Sequence, residues 1–162
     1  MVARLIASLV VLILGGGAFY LFMNSREALE NALLNPDDPQ LVAMGGEIYA
    51  SECAVCHGAG GQGQAGWENA TQDAPLAPPH DGSGHTWEHP DGALFDLTKT
   101  GLSTVACRTL NSEAMPQFAD TLNDEQIVAV LSYIKTLWPD HIRAQNVAIN
   151  AIYANQENPS SN

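Results

Sequence analysis

The sequence predicts an all-α domain preceded by one N-terminal transmembrane helix, and three observations carry that prediction. Apolar residues recur at spacings of three and four around Leu41–Tyr49 and again over Ile127–Trp138, the period of an amphipathic helix. No strand followed by a βαβ pattern is visible. An apolar, uncharged run extends from Leu5 to Met23, close to the roughly 20 residues that cross a bilayer as a helix.

The elements follow in order. Residues 1–24 are expected to anchor the chain in a membrane. The competing reading is a cleaved signal peptide, with Arg4 as its basic start and Gly15–Ala18 as the small residues before a cut. Against cleavage, Phe19–Met23 continues the apolar run past that site. Arg4 on one side and Arg26, Glu27 and Glu30 on the other favour a cytoplasmic amino terminus and an exported remainder. Residues 25–38 form a linker: Ser25–Leu34 continues the anchor helix in polar form, and Asn35-Pro36-Asp37-Asp38-Pro39 breaks it.

Residues 39–139 make one small domain with a single core. Its first helix spans Pro39 to Cys53, with Pro39 in the first turn and Leu41, Met44, Ile48 and Tyr49 on one face. Gly45 and Gly46 weaken that helix in isolation, which points to close approach by another backbone. Gly58 to His89 is rich in Gly, Pro, Asn, Gln and Asp and reads as loops. A short helix, Asp91–Thr100, buries Leu94, Phe95 and Leu97 and stops at Gly101. The strongest helix begins at Asn123, an N-cap with Gln126 three residues on, and ends at Pro139. Residues 140–162 add a weaker helix, His141–Tyr153, and a tail expected to be disordered from Asn155.

Chemistry concentrates in Cys53-Ala54-Val55-Cys56-His57. Two thiols three residues apart on a helix face the same way, so each is able to add to one vinyl group of a porphyrin, and the next residue then presents a nitrogen to the iron. A zinc ribbon needs a second cysteine pair, whereas only Cys107 remains. A thioredoxin-type pair needs a preceding strand. A structural disulfide leaves His57 unexplained. The run therefore predicts haem c, held through Cys53 and Cys56 and ligated by His57, and its single occurrence predicts one haem. The long loop fits this, since loops are able to pack on a bulky apolar cofactor.

The sixth position on the iron separates electron carriers from gas binders and peroxidases. Met115, in Met115-Pro116-Gln117-Phe118, is the candidate; its neutral, soft thioether favours ferrous iron, and Pro116 stiffens the backbone beside it. A methionine before a helix also serves as core filler.

The chain resembles the class I cytochrome c family over residues 39 to 138. The matching features are Gly46, Tyr49, Cys53-x-x-Cys56-His57-Gly58, Met115-Pro116-x-Phe118 and the closing helix from Leu122 to Lys135. The resemblance implies a domain whose first and last helices cross, with Gly46 and Tyr49 near Leu131 and Tyr133. It implies one-electron transfer through a haem edge, and a proline-bearing loop whose carbonyl orients the axial histidine, for which Pro75, Pro78 and Pro79 are candidates. Two departures stand out. Soluble shuttles of this family carry a lysine-rich rim, whereas this chain is acidic; and Pro78–Asp91 has no counterpart in the shortest members, although some anchored bacterial cytochromes c contain a similar stretch.

Acidic residues outnumber basic ones 18 to 6, for a formal charge of −12. No basic stripe is available to neutralise phosphates, so nucleic acid is excluded as a partner. A redox partner would meet this domain through a basic or apolar patch. His80, His85 and His89 lie close together with Asp81, Glu88 and Asp91 among them. They read as a second site for copper or zinc, as a loop from which at least one of His85, Trp87 and His89 donates to haem propionates, or as plain surface. Cys107 is unpaired and reads as a buried apolar residue, ahead of an intermolecular disulfide partner or a rival axial ligand. The function expected is a periplasmic electron carrier on the bacterial inner membrane, passing electrons between a membrane complex and a periplasmic protein, and not itself an enzyme. The alternatives are a haem subunit of an oxidase, dehydrogenase or copper-handling complex, and a gas sensor or peroxidase-like domain.

Overall fold

The computed structural model describes residues 15–17, 33–71, 73–101 and 115–157. The chain divides into two units, Met1–Ala32 and Leu33–Asn162. Most of the apolar Leu5–Met23 run, all of 102–114 including Cys107, and 158–162 lie outside the described residues. No helix among the described residues is long and apolar enough to cross a membrane.

The second unit is all-helical among the described residues. Its helices are α1 (Pro39–Ile48), α2 (Ala54–His57), α3 (Asp91–Thr100), α4 (Asp124–Thr136) and α5 (Asp140–Glu157), with a π-helical turn at Tyr49–Cys53 and 3₁₀ turns at Trp67–Asn69 and Thr86–Glu88. The ends of α1 and α4 are set by local chemistry. Asp38 caps α1 by accepting from Gln40 N at 2.9 Å and Leu41 N at 3.1 Å, with Pro39 supplying a first-turn residue that has no N–H to satisfy. Asn123 and Gln126 form the expected reciprocal capping box on α4, at 2.9 and 3.0 Å.

The helix expected from Pro39 to Cys53 is not continuous α. At Tyr49 it widens into the π turn, then tightens again into α2. Tyr49 is held from two sides, by its hydroxyl on the Gly58 carbonyl at 2.9 Å and by its ring against Tyr133, centroids 5.3 Å apart. Such widened turns are frequent at functional sites. Here the turn resets the phase of the two cysteines relative to α1.

Helix α1 packs on α4 more extensively than any other pair of elements. The contact is centred on Gly45: a Cβ there would fall on the Ala129 carbonyl oxygen and lie 2.9 Å from Tyr133 Cβ. Gly46 sits beside the Tyr133 ring, where a Cβ would be 3.3 Å from Cε2. The close approach expected of the glycine pair is therefore present, with Gly45 on Ala129 as its tightest point. Ile127, Ala129, Val130, Leu131 and Ile134 of α4 are buried around it, joined by Ile48, Leu94, Phe118 and Trp138.

Two segments depart from the sequence expectation. Leu34, in the stretch read as linker, is buried, and Asn35 N donates to Ser132 Oγ of α4 at 3.0 Å. Helix α5 runs on to Glu157, through the beginning of the tail expected to be disordered. Its anchor is polar: buried Asn146 donates to the carbonyls of Trp87 and His89 at 2.8 and 2.9 Å. Asn150 joins Asn146 and exchanges bonds with Asp91, whose carboxylate also receives Lys135 Nζ at 2.8 Å.

Candidate haem-attachment site

Cys53 ends the π turn and Cys56 follows within α2, both as free thiols. Cys53 is half-buried against the core and Cys56 is exposed. Burial, reinforced by Glu52 and Cys56, pushes the Cys53 thiol up to about 11, so it stays neutral near pH 7.

His57 closes the same turn and is buried. Its Nδ1 lies 2.8 Å from the Pro78 carbonyl oxygen. A carbonyl only accepts, so Nδ1 carries the hydrogen and Nε2 keeps its lone pair for a metal. Of the three candidate prolines, Pro78 is the one whose carbonyl orients this ring. Burial lowers the His57 pKa, with the Pro78 bond opposing, which keeps the imidazole neutral and able to ligate.

The loop that delivers Pro78 is pinned to the attachment turn. Gly63 N donates to His57 O at 2.8 Å, Gln64 N to Ala77 O at 2.9 Å, and His80 N and Asp81 N both donate to Gly61 O, at 2.7 and 3.0 Å. Gly63 has φ of 69°, and a Cβ there would meet Pro79 N at 2.6 Å, so backbone contact with the proline segment requires glycine. His80 then stacks on His57, centroids 3.8 Å apart and planes inclined by 26°.

The three loop histidines do not converge. His80 faces His57, whereas His85 stacks on Trp67 at 5.9 Å and meets the edge of His89 at 5.6 Å. No group of three or more His, Cys, Asp or Glu side chains able to hold a metal exists among the described residues. The copper or zinc reading of this loop therefore fails on geometry. The Trp87 indole N–H, a candidate propionate donor, is taken by Gly84 O at 2.9 Å.

Met115 packs half-buried on the same core as Cys53, Trp87 and Phe95. The chain just after it is fastened to the end of α3, through Phe118 N on Thr98 O at 3.1 Å and Ala119 N on Lys99 O at 3.0 Å. The residues present thus fit a haem: two free thiols and an oriented neutral imidazole on one turn, beside apolar side chains left part-exposed.

The cytochrome c family model matches residues 42–138. The chain belongs to the cytochrome c family. Membership implies covalent haem c at the Cys53-x-x-Cys56-His57 run and a role in electron transfer. The cbb3-type cytochrome c oxidase subunit FixP of Sinorhizobium medicae (strain WSM419) is 25% identical over 111 residues, covering 68% of this chain and 35% of that protein. The chain thus spans about a third of the length of this relative. No solved structure matches the chain significantly.

Sequence reasoning missed four residues that build the surroundings of this cytochrome's site. Thr86 is buried and bridges His80 Nδ1, at 3.1 Å, to the Pro79 carbonyl, at 3.2 Å. Asn146, Asn150 and Lys135 fix the 87–91 segment from behind. The one sequence signal for the asparagines is their spacing of four on a weakly amphipathic helix, which reads equally well as a solvated face.

Burial lowers the pKa of His57, His80 and His89 below the ordinary histidine value. The unfolded chain therefore binds protons near pH 6.5 that the folded chain does not, and stability falls as pH drops below that value. Unfolding of the apoprotein at pH 6 is expected to take up protons, a quantity read from calorimetric melts in buffers of differing ionisation enthalpy. Proton release would contradict this assignment.

Proposed function

We propose that this cytochrome is a membrane-tethered periplasmic electron carrier with a single haem c, ligated by His57 and Met115. The observation that carries the reading is the attachment turn: Cys53 and Cys56 as free thiols, and His57 with Nδ1 committed to Pro78 O so that Nε2 remains for the metal. When bound, haem supplies a centre that takes up and returns one electron.

The protein's own residues hold and tune that centre. Cys53 and Cys56 tether it, and burial of His57 excludes water from the ligand. The Met115 thioether supports the ferrous state. Pro116 and the Phe118–Thr98 bond limit movement of the methionine between oxidation states, which favours fast transfer. The Leu5–Met23 run supports an inner-membrane tether with the haem domain on the periplasmic side; that tether raises the effective concentration near membrane-bound partners, and the linker from 25 provides reach. Partners are a membrane complex and a periplasmic redox protein, meeting the acidic domain through basic or apolar surfaces.

A second reading is favoured by the similarity to the oxidase subunit FixP: this chain serves as a haem subunit bound to an oxidase complex. Both readings make it a conduit for electrons and not an enzyme by itself.

The test is expression with haem-maturation machinery. Wild-type protein is expected in the membrane fraction with covalently retained pigment, six-coordinate when reduced and indifferent to carbon monoxide. Cys53→Ala/Cys56→Ala should lose the pigment altogether, and Met115→Ala should keep it but bind carbon monoxide. A wild-type chain without covalent pigment would sink the carrier reading. Carbon monoxide binding by the wild type would remove Met115 as ligand. Co-purification of an oxidase in mild detergent would select the second reading.

A further inference from the structure

His80 lies against the face of the axial histidine and is held from several directions. Its backbone N–H donates to Gly61 O at 2.7 Å, and its carbonyl accepts from Trp138 Nε1 at 2.8 Å. Its ring is fixed as well. The Thr86 hydroxyl donates its one hydrogen to Pro79 O at 3.2 Å, so the contact between Thr86 Oγ1 and His80 Nδ1 at 3.1 Å has the histidine as donor. The turn that makes this possible is tight: a Cβ on Gly84 would collide with the Pro79 carbonyl. On its other side His80 meets Tyr49 edge-on at 6.4 Å.

Two restraints therefore act on the His57 ring. The Pro78 carbonyl fixes one atom, Nδ1, and a pivot about that bond and Nε2 remains. The stacked His80 ring, 3.8 Å away and 26° from parallel, blocks that pivot on one face. Groups behind a metal ligand set its orientation and basicity, and their loss typically costs about 10–100-fold in metal affinity or activity.

We propose that His80 is a positioning residue for the axial ligand: stacked on His57 and pinned through Thr86, it fixes the plane of the His57 imidazole. The inference rests on the haem reading above. The consequence is a single ligand orientation, hence one set of iron orbital energies, and a shielded ligand that disfavours the more highly charged ferric state.

The test compares wild type, His80→Ala and Thr86→Val as full-length holoproteins, using ferric electron paramagnetic resonance and the midpoint potential. His80→Ala is expected to broaden the g features, because the imidazole takes more than one orientation. It should also shift the ferric-to-ferrous ratio about tenfold toward ferric, a fall of about 59 mV for one electron. Thr86→Val should act in the same sense with smaller size. A merely structural role would lower the melting temperature without changing the g features. His80→Ala protein with bound haem and wild-type g features would overturn the proposal. If that variant retains no haem, Thr86→Val decides on the same readout. Absence of covalent pigment from the wild type would instead strike the haem reading, so the two failures are distinguishable.

Discussion

Replacing Asp91 with alanine is expected to destabilise the domain by about 3–5 kcal/mol, because it strands a buried ammonium. The Asp91 and Lys135 side chains are 6% and 5% exposed, and Lys135 Nζ reaches both carboxylate oxygens, at 2.8 and 3.0 Å. Domains of this size are stable by about 5–15 kcal/mol in total, so the loss is a large share. At roughly 4–8 °C per kcal/mol for a domain of about 100 residues, the melting temperature should fall by more than about 10 °C. Asp91 also accepts from Asn150 Nδ2 through its carboxylate at 3.0 Å, a bond lost in the variant, although the backbone N–H of residue 91 keeps its 2.7 Å bond to Asn150 Oδ1. Its removal should therefore loosen α5 locally, seen as faster amide exchange over 140–157. The double variant Asp91→Leu/Lys135→Met should recover much of the loss, since an apolar pair of similar volume often matches a buried ion pair. A cost below about 1 kcal/mol for Asp91→Ala would mean that Lys135 escapes to solvent and that the pair is not a structural fastening.

What the sequence makes legible is what is decided within one or two turns of chain. Helix α3 stops at Gly101 because that residue takes φ of 70° and returns its N–H to Leu97 O, a glycine-specific ending written in one position. The capping box of α4 is four residues long. The attachment run is likewise local, since both thiols and His57 fall on one turn. The π turn is different: Tyr49 at its start is gripped by Gly58 and Tyr133, and neither partner marks the sequence as non-α. Leu34 is buried next to Asn35, whose N–H bonds Ser132 Oγ 97 residues further along the chain. The histidine loop misleads for a related reason. Closeness in sequence suggested a ligand set, but the tight approach of Gly84 to Pro79 turns His80 toward His57 and leaves His85 against Trp67. Asn146 and Asn150 look like surface residues on a helix, because the carbonyls they satisfy belong to another part of the chain.

Substituting Gly45 should damage both the fold and haem attachment, because the obstacle is backbone. A Cβ at this position would coincide with the Ala129 carbonyl oxygen and crowd Tyr133 Cβ at 2.9 Å. No rotamer change relieves a clash with main chain, so α1 and α4 must separate. Alanine improves intrinsic helix propensity over glycine by about 1 kcal/mol. Overpacking typically costs about 1–3 kcal/mol where side chains absorb it, and more where they cannot. Gly45→Ala is therefore expected to be a net loss of about 2 kcal/mol, and Gly45→Val a larger one. Gly92, in the first turn of α3, has nothing within 4 Å of where a Cβ would stand, so Gly92→Ala should be neutral or stabilising by about 0.5–1 kcal/mol and isolates the effect of contact from that of propensity. The damage should extend to the site, because opening the α1–α4 contact draws Tyr49 away from Tyr133 and releases the turn that presents Cys53 and His57. Covalent haem yield should then fall in Gly45→Val but not in Gly92→Ala, measured as bound pigment per polypeptide. Equal pigment yield and equal melting in Gly45→Val and wild type would show that the helices do not meet at this residue.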